Sequence, residues 1–393
     1  MKAFIRTLAI KKTVLQIVPV LFLGLVVLSC SQDSIFFNVS IEIKPKDPLI
    51  AGSPTNIVVF NNQVFSGTRT GEKIFMYNGS SWTPISSAGG STGGGLATDG
   101  TSLYAGIFPG RDPHGSPVIK KYTGTGWDAI DMGTSGGYYV QSIYGAGNTI
   151  FAGGQDKSNY LNYAILAYTS GGSLKPILEG TSFLMGAAAI GTDVYLATAG
   201  SGVYKFDSTN PTTPPVAISG TDSVVTGIIE TGGVIVVVSS NGGIYTLNPG
   251  AGETSFSTLL TTSEKFSGGM CVWSIYAGAT GTPTLLLLGV QGQSTSTSTN
   301  NGYRELLLDQ ATGKPLVPGS IKIPGNENPP TSAPDKQAKY EASIGTRAVT
   351  AILQAPPGVM PGTVSNENDL PVFASTQRNG LWACRNGEWN AEE

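Results

Sequence analysis

Charged side chains and histidine are scarce in this chain of 393 residues. Asp, Glu, Lys and Arg together make up 12% of it, about half of the ~25% found in typical soluble proteins. His114 is the only histidine, which argues against histidine-based metal sites and against most histidine acid–base relays. The 53 glycines favour short strands joined by tight turns, and the scarcity of charge disfavours long amphipathic helices.

The N-terminal residues differ from the rest of the chain. Four basic residues precede an apolar run, TVLQIVPVLFLGLVVL, at 13–28, which stops abruptly at Ser29 and Cys30. A basic start, a short apolar core and a small residue at the cut are typical of a secretory signal peptide, here over 1–29. An uncleaved anchor helix is the alternative, although the run is shorter than the about 20 residues that a membrane span needs. No second apolar stretch approaches that length.

The ending VLSC at 27–30 resembles the lipobox of bacterial lipoproteins. The resemblance implies that Cys30 is diacylated and becomes the first residue of the mature protein, so that lipid anchors the chain to the cell envelope. Ser31 follows this cysteine, and in the common Gram-negative sorting rule that favours the outer membrane. Whether the protein would face the periplasm or the outside stays open.

Removal of 1–29 would leave an acidic chain. This segment contains four of the 23 Lys and Arg residues and no Asp or Glu, so 19 basic residues would stand against 26 acidic ones, a net charge of about −7. An acidic surface repels phosphate backbones, so we expect no nucleic-acid binding. The chain also offers no polybasic patch, so we expect it to contact the membrane through its lipid anchor only.

Only two cysteines, Cys271 and Cys384, lie beyond the lipobox. A disulfide between them is permitted in an exported protein. Two buried, unpaired thiols are the alternative, and we favour it.

A short apolar word that ends in small residues recurs seven times, and another apolar strand and a turn stand ahead of nearly every copy. A third strand and usually a fourth follow each copy. The repeat length of about 40–50 residues is the one expected of propeller blades. The seven copies are VFSGT (64–68), LYAGI (103–107), IFAGG (150–154), VYLAT (194–198), IVVVS (235–239), LLLLG (285–289) and VFAST (372–376).

The repeat predicts an all-β fold, a seven-bladed β-propeller with four antiparallel strands in each blade. One such sheet buries little by itself, whereas seven packed side by side in a ring bury both faces of every sheet. We expect three parts: a signal peptide at 1–29, a lipidated tether and N-terminal latch strand at 30–53, and the propeller at 54–393. Tyrosines and tryptophans in the third and fourth strands should pack between sheets, and an exposed row of binding aromatics is the alternative.

Over 54–393 the chain resembles bacterial β-propeller lipoproteins, at the level of architecture. In its glycine-rich style and its LYAG and YxGxxW phrases it is similar to surface and outer-membrane lipoproteins of spirochaetes, a group that includes matrix-binding adhesins. The resemblance implies a binding module. Fold alone does not decide this, because propellers also include glycosidases, lactonases and dehydrogenases.

The ends of the propeller must meet if the ring closes. The alternating segment IFFNVSIEI at 35–43 is predicted to pair with the last blade and latch the ring. Two polar or proline-rich inserts in the last repeats, at 291–302 and 324–339, are predicted to be projecting loops.

Catalytic motifs are incomplete. Gly133–Gly137 matches Gly-x-Ser-x-Gly, but a nucleophile elbow needs a strand-to-helix turn and a later histidine, and His114 precedes Ser135. We therefore interpret it as a turn between blades. The hairpins at 78–82 and 123–127 lack the Ser-x-Asp portion of sialidase Asp boxes. We expect no catalytic site, no cofactor and no metal site.

The remaining candidates are loops. Connections between blades, and those between second and third strands, should gather on one face around the channel mouth. This set includes 68–73, 109–117, 155–163, 240–243 and 290–302. Functional residues concentrate on such loops. We single out Arg69, Arg111 and His114 as candidate partner-binding residues, and solvated loops without a partner are the alternative.

These observations favour a monomeric, non-enzymatic, lipid-anchored envelope protein that binds a macromolecule, with a host-matrix adhesin as the most specific version. The first alternative is a periplasmic scaffold similar to the propeller lipoprotein of the outer-membrane barrel-assembly machinery. The second is a hydrolase that acts on sugars or lactones through carboxylates at the channel mouth.

Overall fold

The structure is a computed structural model that describes residues 49–69, 73–108, 118–273, 283–291, 302–309, 348–360, 370–378, 380–385 and 388–392. The chain divides into two compact units, Met1–Lys46 and Asp47–Glu393, and all described residues belong to the second. The predicted signal peptide at 1–29, Cys30 and the predicted latch at 35–43 lie outside the described residues.

The described residues form seven antiparallel sheets, each built from consecutive strands in chain order. We number the sheets as blades one to seven. Blade six has three described strands, and its predicted fourth strand, after Asp309, lies outside the described residues. The strands are, in blade one, β1 (Pro54–Phe60), β2 (Gln63–Thr68), β3 (Ile74–Tyr77) and β4 (Trp82–Pro84); in blade two, β5 (Ser91–Thr98), β6 (Leu103–Phe108), β7 (Val118–Tyr122) and β8 (Trp127–Ala129); in blade three, β9 (Tyr138–Ala146), β10 (Thr149–Asp156), β11 (Tyr163–Thr169) and β12 (Lys175–Thr181); in blade four, β13 (Leu184–Ile190), β14 (Asp193–Thr198), β15 (Gly202–Asp207) and β16 (Val216–Ile218); in blade five, β17 (Val225–Thr231), β18 (Val234–Ser239), β19 (Gly243–Leu247) and β20 (Ser257–Thr261); in blade six, β21 (Phe266–Trp273), β22 (Pro283–Val290) and β23 (Tyr303–Asp309); and in blade seven, β24 (Val349–Gln354), β25 (Val372–Thr376), β26 (Gly380–Arg385) and β27 (Glu388–Ala391).

The first strands of the blades form the inner ring. Each contacts the first strand of the next blade, and β24 of blade seven contacts β1 of blade one. The seven repeated apolar words fall on the second strands, which are largely buried. The prediction of a seven-bladed β-propeller with antiparallel four-stranded blades is therefore confirmed.

Glycines on the first and second strands allow neighbouring blades to approach closely. Gly289 is the last residue but one of β22, and a Cβ there would overlap the carbonyl oxygen of Val349 in blade seven. Gly145 stands in the same relation to the carbonyl oxygen of Thr98, across the contact between blades three and two. Glycine is required at both positions because backbone atoms of the next blade occupy the space of a side chain.

An irregularity in strand register recurs near the start of all seven first strands. Such bulges bend a strand and redirect its side chains. Two of these bulges place a polar side chain against the next blade. Asn56 accepts a 2.6 Å hydrogen bond from the Leu96 amide, and Ser142 donates a 2.9 Å hydrogen bond to the Leu184 carbonyl.

Buried aromatic side chains fill the junction between blade seven and blade one. Tyr77 and Trp82 of blade one pack edge-on against Phe373 of blade seven, with ring centroids 4.9 and 5.1 Å apart respectively. Their exposed fractions are 1%, 4% and 0%. This confirms the predicted packing role of the third- and fourth-strand aromatics at the closure.

Two charged residues complete this closure. The Arg385 guanidinium donates to both carboxylate oxygens of Glu392, and Trp82 Nε1 donates to the same carboxylate at 2.7 Å. Arg385 also lies over the rings of Tyr77 and Phe373. We call Tyr77, Trp82, Phe373, Arg385 and Glu392 the closure cluster.

The backbone just before blade one also joins the last blade. The Leu49 amide donates to the Glu392 carbonyl, and the Leu381 amide donates to the Ile50 carbonyl. All four described strands of blade seven come from 349–391. Residues 49–53, the described part of the predicted 30–53 segment, thus contact blade seven but are not one of its four strands.

Cys271 and Cys384 are both buried thiols that form no disulfide, as the favoured interpretation of the sequence predicted. Burial raises the pKa of the Cys271 thiol to about 12.

Candidate functional site

Hairpin geometry assigns each loop to one of two faces of the propeller. Successive antiparallel strands reverse direction, so connections between second and third strands emerge at the same edge as connections between blades. We call this edge the loop face. It includes the described segment between β10 and β11 of blade three.

The sequence-predicted site residues do not form a described cluster. Arg69 is exposed on the loop face at the end of β2, where its amide donates to the Ser53 carbonyl at 2.9 Å. Arg111 and His114 lie outside the described residues, as do Cys30 and almost all of the inserts at 291–302 and 324–339. Their predicted roles stay predictions.

Exposed apolar side chains concentrate on the loop face of blade three. Among the described residues, five large hydrophobic side chains are strongly exposed, and three of these, Tyr160, Leu161 and Phe183, lie between β10 and the start of blade four. Leu161 is 87% exposed, the highest value of the five. Leu49 and Val216, the other two, lie outside this region.

Two ring pairs build the rest of this surface. Tyr139 of β9 stacks on Tyr160, with centroids 6.1 Å apart and planes inclined by 9°. Tyr163 of β11 packs against Phe183, with centroids 4.2 Å apart. We call Tyr139, Tyr160, Leu161, Tyr163 and Phe183 the aromatic patch.

Gln155, at the end of β10, links the two ring pairs. Its amide nitrogen donates to the Tyr160 carbonyl at 2.7 Å and lies 3.0 Å from the Tyr163 hydroxyl. Gln141 on β9 donates to the Gln155 amide oxygen at 3.0 Å. These bonds fix the base of the patch, because the Gln155 amide is held at both its nitrogen and its oxygen.

Local hydrogen bonds hold the loop that carries Tyr160 and Leu161. The Asp156 amide donates to the Asn162 carbonyl at 2.9 Å, which closes the loop at its base. The Leu161 amide donates to Asn159 Oδ1 at 3.1 Å. Ser158 donates to Asp156 Oδ1 from its amide and its hydroxyl, both at 2.7 Å, and these bonds lower the pKa of Asp156. The loop therefore presents Leu161 in a defined conformation.

The patch carries little net charge. Lys157 donates to the Gly136 carbonyl at 2.7 Å and lies 5.2 Å from the centre of the Tyr139 ring, and it is next to Asp156. At the rim, the Tyr138 hydroxyl donates to Glu179. Burial, with that carboxylate as the second cause, raises the pKa of Tyr138 to about 12. At neutral pH the surface is thus an apolar area beside one basic and two acidic side chains.

The Gly-x-Ser-x-Gly motif lies beside this surface and has a structural role. Gly133–Gly137 forms a short 3₁₀ turn between β8 and β9, and buried Ser135 donates to the Leu174 carbonyl at 3.0 Å. The prediction of a turn between blades is confirmed.

The residues that the structure describes contain no group of three or more metal-ligating side chains and no helix long and apolar enough to cross a membrane.

The sequence interpretation identified 155–163 as a loop on this face but assigned its aromatics no role. A usable signal was present in SNYLNY at 158–163. Three large hydrophobic side chains stand there in a segment otherwise composed of turn-forming residues. Two of them, Tyr160 and Leu161, precede the strand that begins at Tyr163, and side chains in such a turn are less covered by sheet neighbours, which favours exposure.

No protein-family model and no curated protein matches the chain. Solved structures do resemble it. The structure of YCF48 bound to D1 peptide has a TM-score of 0.52 and 13% identity, covering 87% of this chain and 94% of that one. The WD40 β-propeller domain of Doa1 gives 0.49 and 13%, covering 86% and 94%, and the computationally designed protein Ika8 gives 0.45 and 14%, covering 87% and 99%. At such identities the likeness to YCF48 concerns the fold alone.

Proposed function

We propose that this chain is a non-enzymatic, lipid-anchored envelope protein whose propeller binds a protein partner through its loop face. The observation that carries the proposal is the aromatic patch. Tyrosine-rich, well-ordered surfaces are typical of protein-binding sites, because aromatic side chains supply large contact areas at a small cost in conformational entropy.

The resemblance in fold adds support of a general kind. YCF48 was solved with a bound peptide, D1, so a fold of this shape accommodates a polypeptide ligand in that protein. The lipid anchor rests on the VLSC sequence and on Cys30. Attachment to the outer membrane, with an adhesin for a matrix protein as the specific role, rests on the resemblance to spirochaetal lipoproteins.

Replacement of the patch tests the binding proposal. The triple variant Tyr160→Ser, Leu161→Ser, Phe183→Ser should fold normally and should lose most binding of partner proteins in a quantitative pull-down. The double variant Leu49→Ser, Val216→Ser removes the other strongly exposed hydrophobic side chains and serves as the control. Equal retention by the wild type and the triple variant would contradict the proposal.

The anchor and its orientation need separate experiments. Metabolic labelling with palmitate should mark the wild type and not Cys30→Ala. Surface proteolysis of intact cells should degrade an outward-facing adhesin and spare a periplasmic scaffold, the principal alternative. A hydrolase would require turnover of a sugar or lactone substrate that is lost on replacement of a carboxylate at the channel mouth.

A further inference from the structure

We propose that Arg69 and Arg378 form a binding site for a phosphate monoester on the loop face, where blade seven meets blade one. The two arginines follow the second strands of these blades, β2 and β25, and both are exposed. The site is separate from the aromatic patch on blade three, so this inference does not rest on the proposed function.

One residue, Ser53, holds the backbone of both arginines. Its carbonyl oxygen accepts a hydrogen bond from the Arg69 amide at 2.9 Å, and its hydroxyl oxygen accepts one from the Arg378 amide at 3.1 Å. The Arg69 carbonyl in turn accepts a hydrogen bond from the Ser91 hydroxyl of blade two. Two arginines far apart in the sequence therefore flank a single serine, on a backbone that is fixed before any ligand binds.

The guanidinium groups of these two arginines have no acid beside them. The structure describes four arginines, and two of them, Arg304 and Arg385, bind glutamates. Within the described part of the chain, no carboxylate or carbonyl accepts a hydrogen bond from the side chain of Arg69 or Arg378. The two described arginines that lack an anion are thus the two that the fold places together.

Charge and donor geometry together select the ligand. A guanidinium presents a planar fork of N–H donors that pairs with one carboxylate or with one edge of a phosphate. A carboxylate has one charge and two oxygens, so one arginine is enough for it. A phosphate monoester carries about −1.5 to −2 at neutral pH and three acceptor oxygens. It therefore matches two guanidinium groups.

The rest of the molecule disfavours a polyanion. The chain without its predicted signal peptide has a net charge of about −7, which repels an extended row of phosphates. A single phosphate responds mainly to the nearest charges, because salt screens those beyond about 8–10 Å. In the sequence of the blade-one loop, Glu72 and Lys73 offset each other, so the arginine pair supplies the net positive charge.

Arg378 also has an unfavourable backbone conformation. Its φ is 75°, in the left-handed region that is costly for a residue with a Cβ. The other described non-glycine residues with positive φ are Asn61 and Asn62, and asparagine tolerates this region better. The turn thus carries an arginine where glycine would be more stable, and such strain concentrates at binding sites.

Calorimetric titration of inorganic phosphate into the purified protein tests the site. The wild type should bind saturably, with one site per chain. Arg69→Gln and Arg378→Gln should each weaken binding about tenfold. Arg378→Lys keeps the charge but loses the fork, and should weaken it about threefold.

Lys175→Gln removes an exposed lysine of blade three and is the matched control. It should change the affinity for phosphate less than about twofold. Absence of saturable binding, or an equal loss in the control, would overturn the proposal, because either result means that no local site exists.

Competition identifies the ligand class and its source. Glycerol 3-phosphate should bind as inorganic phosphate does, and acetate in about tenfold excess should not displace it. Displacement by acetate would overturn the phosphate assignment. A water-soluble, short-chain phosphatidic acid supplies the lipid arm. Binding about tenfold tighter than that of glycerol 3-phosphate assigns the site to a lipid headgroup, and equal binding assigns it to a soluble ester.

Arg378→Gly separates binding from stability. It should lose phosphate affinity as Arg378→Gln does, yet raise the thermal midpoint by about 1–3 °C, because glycine removes the backbone strain. A lower midpoint with unchanged phosphate binding would show that this arginine serves the fold, and would overturn the proposal. The triple patch variant should bind phosphate as the wild type does, so a failure of this site leaves the proposed function standing.

Discussion

At the join between the last and first blades, Tyr77, Trp82 and Phe373 are at most 4% exposed, whereas the patch on blade three leaves Tyr160 49% and Phe183 41% exposed. Both regions combine aromatic rings with a lysine or arginine over a ring and a carboxylate that accepts hydrogen bonds. In the closure cluster the rings and the carboxylate are enclosed between two blades, and Arg385 is partly exposed. In the patch the same residue types face solvent, so their contacts are available to a partner.

This comparison separates stability from binding. Burial of an aromatic side chain stabilises the fold in proportion to the area removed from water, and an exposed one contributes little until something covers it. Matched substitutions in the two regions should therefore differ in their effect on unfolding.

The largest difference is expected for phenylalanine. Phe373→Ala should lower the free energy of unfolding by about 3–5 kcal/mol, because it leaves a cavity among Tyr77 and Trp82. Phe183→Ala, in the patch, should cost less than about 1 kcal/mol. Denaturant unfolding of both variants checks this, and similar losses would mean that the patch is part of the core.

Loss of a carboxylate should likewise lower the free energy of unfolding more in the closure cluster than at the patch. Glu392→Ala removes the acceptor of Arg385 and of Trp82 Nε1, and the carboxylate is 5% exposed. Since the Arg385 side chain is 38% exposed, the loss should be about 2–3 kcal/mol, below that of a fully buried pair.

Glu179→Ala removes the exposed acceptor of Tyr138 at the rim of the patch and is the matched control. Its effect should stay below about 1 kcal/mol. Glu392→Gln should fall between the two, because an amide oxygen still accepts from Trp82. A Glu392→Ala protein as stable as Glu179→Ala would show that the pair does not support the closure.

Glycine substitutions test packing between blades. Gly289→Ala forces a methyl group onto the Val349 carbonyl oxygen and should cost about 1–3 kcal/mol. Gly136→Ala, beside the patch, meets nothing within 4 Å and should stay within about 0.5 kcal/mol of wild type. Thermal midpoints measured under identical conditions distinguish the two, and equal midpoints would refute the close approach of blades six and seven.

The smallest effect concerns two turn aspartates. Buried Asp99 in blade two accepts hydrogen bonds of 2.7–2.8 Å from Thr101, Ser102 and Tyr104. Burial by itself raises the pKa of Asp99, but the hydrogen bonds together outweigh it, so the pKa lies below its usual value. A carboxyl whose folded pKa lies below its unfolded value of about 3.9 stabilises the fold above that pH and loses this contribution as the pH falls through the folded pKa.

Asp99→Asn should therefore cost about 1 kcal/mol at pH 7, and the difference from wild type should shrink below about pH 4. Asp156→Asn changes the corresponding turn in the patch loop and should lower the thermal midpoint less. Unfolding followed at pH 7 and at pH 3 is the measurement. A difference that grows in acid would contradict the direction of the shift.

The ring itself could be predicted from the sequence because its signal is repeated. Seven copies of one apolar word place seven second strands, and small residues such as Gly289 mark where blades crowd together. Contacts that occur once could not be predicted in this way. The bond from Trp82 to Glu392 joins positions 310 residues apart, and no local pattern specifies it.

The candidate site was harder to predict for a related reason. A loop's exposure depends on what covers it, and the residue types of SNYLNY at 158–163 favour exposure without showing which neighbours pack beside the loop. The sequence favoured Arg69, Arg111 and His114 because charged loop residues are conspicuous in a chain with 12% charge. The structure instead shows its distinctive surface in uncharged residues.

The Trp82–Glu392 hydrogen bond also bears on how the chain folds. Local hairpins within each blade form between residues close in sequence, whereas this contact closes nearly the whole chain and pays the loop entropy of 310 positions. Contacts of such long range slow folding. The surface of blade one that packs against Phe373 and Glu392 therefore stays open to solvent until the last strands of the chain are in place.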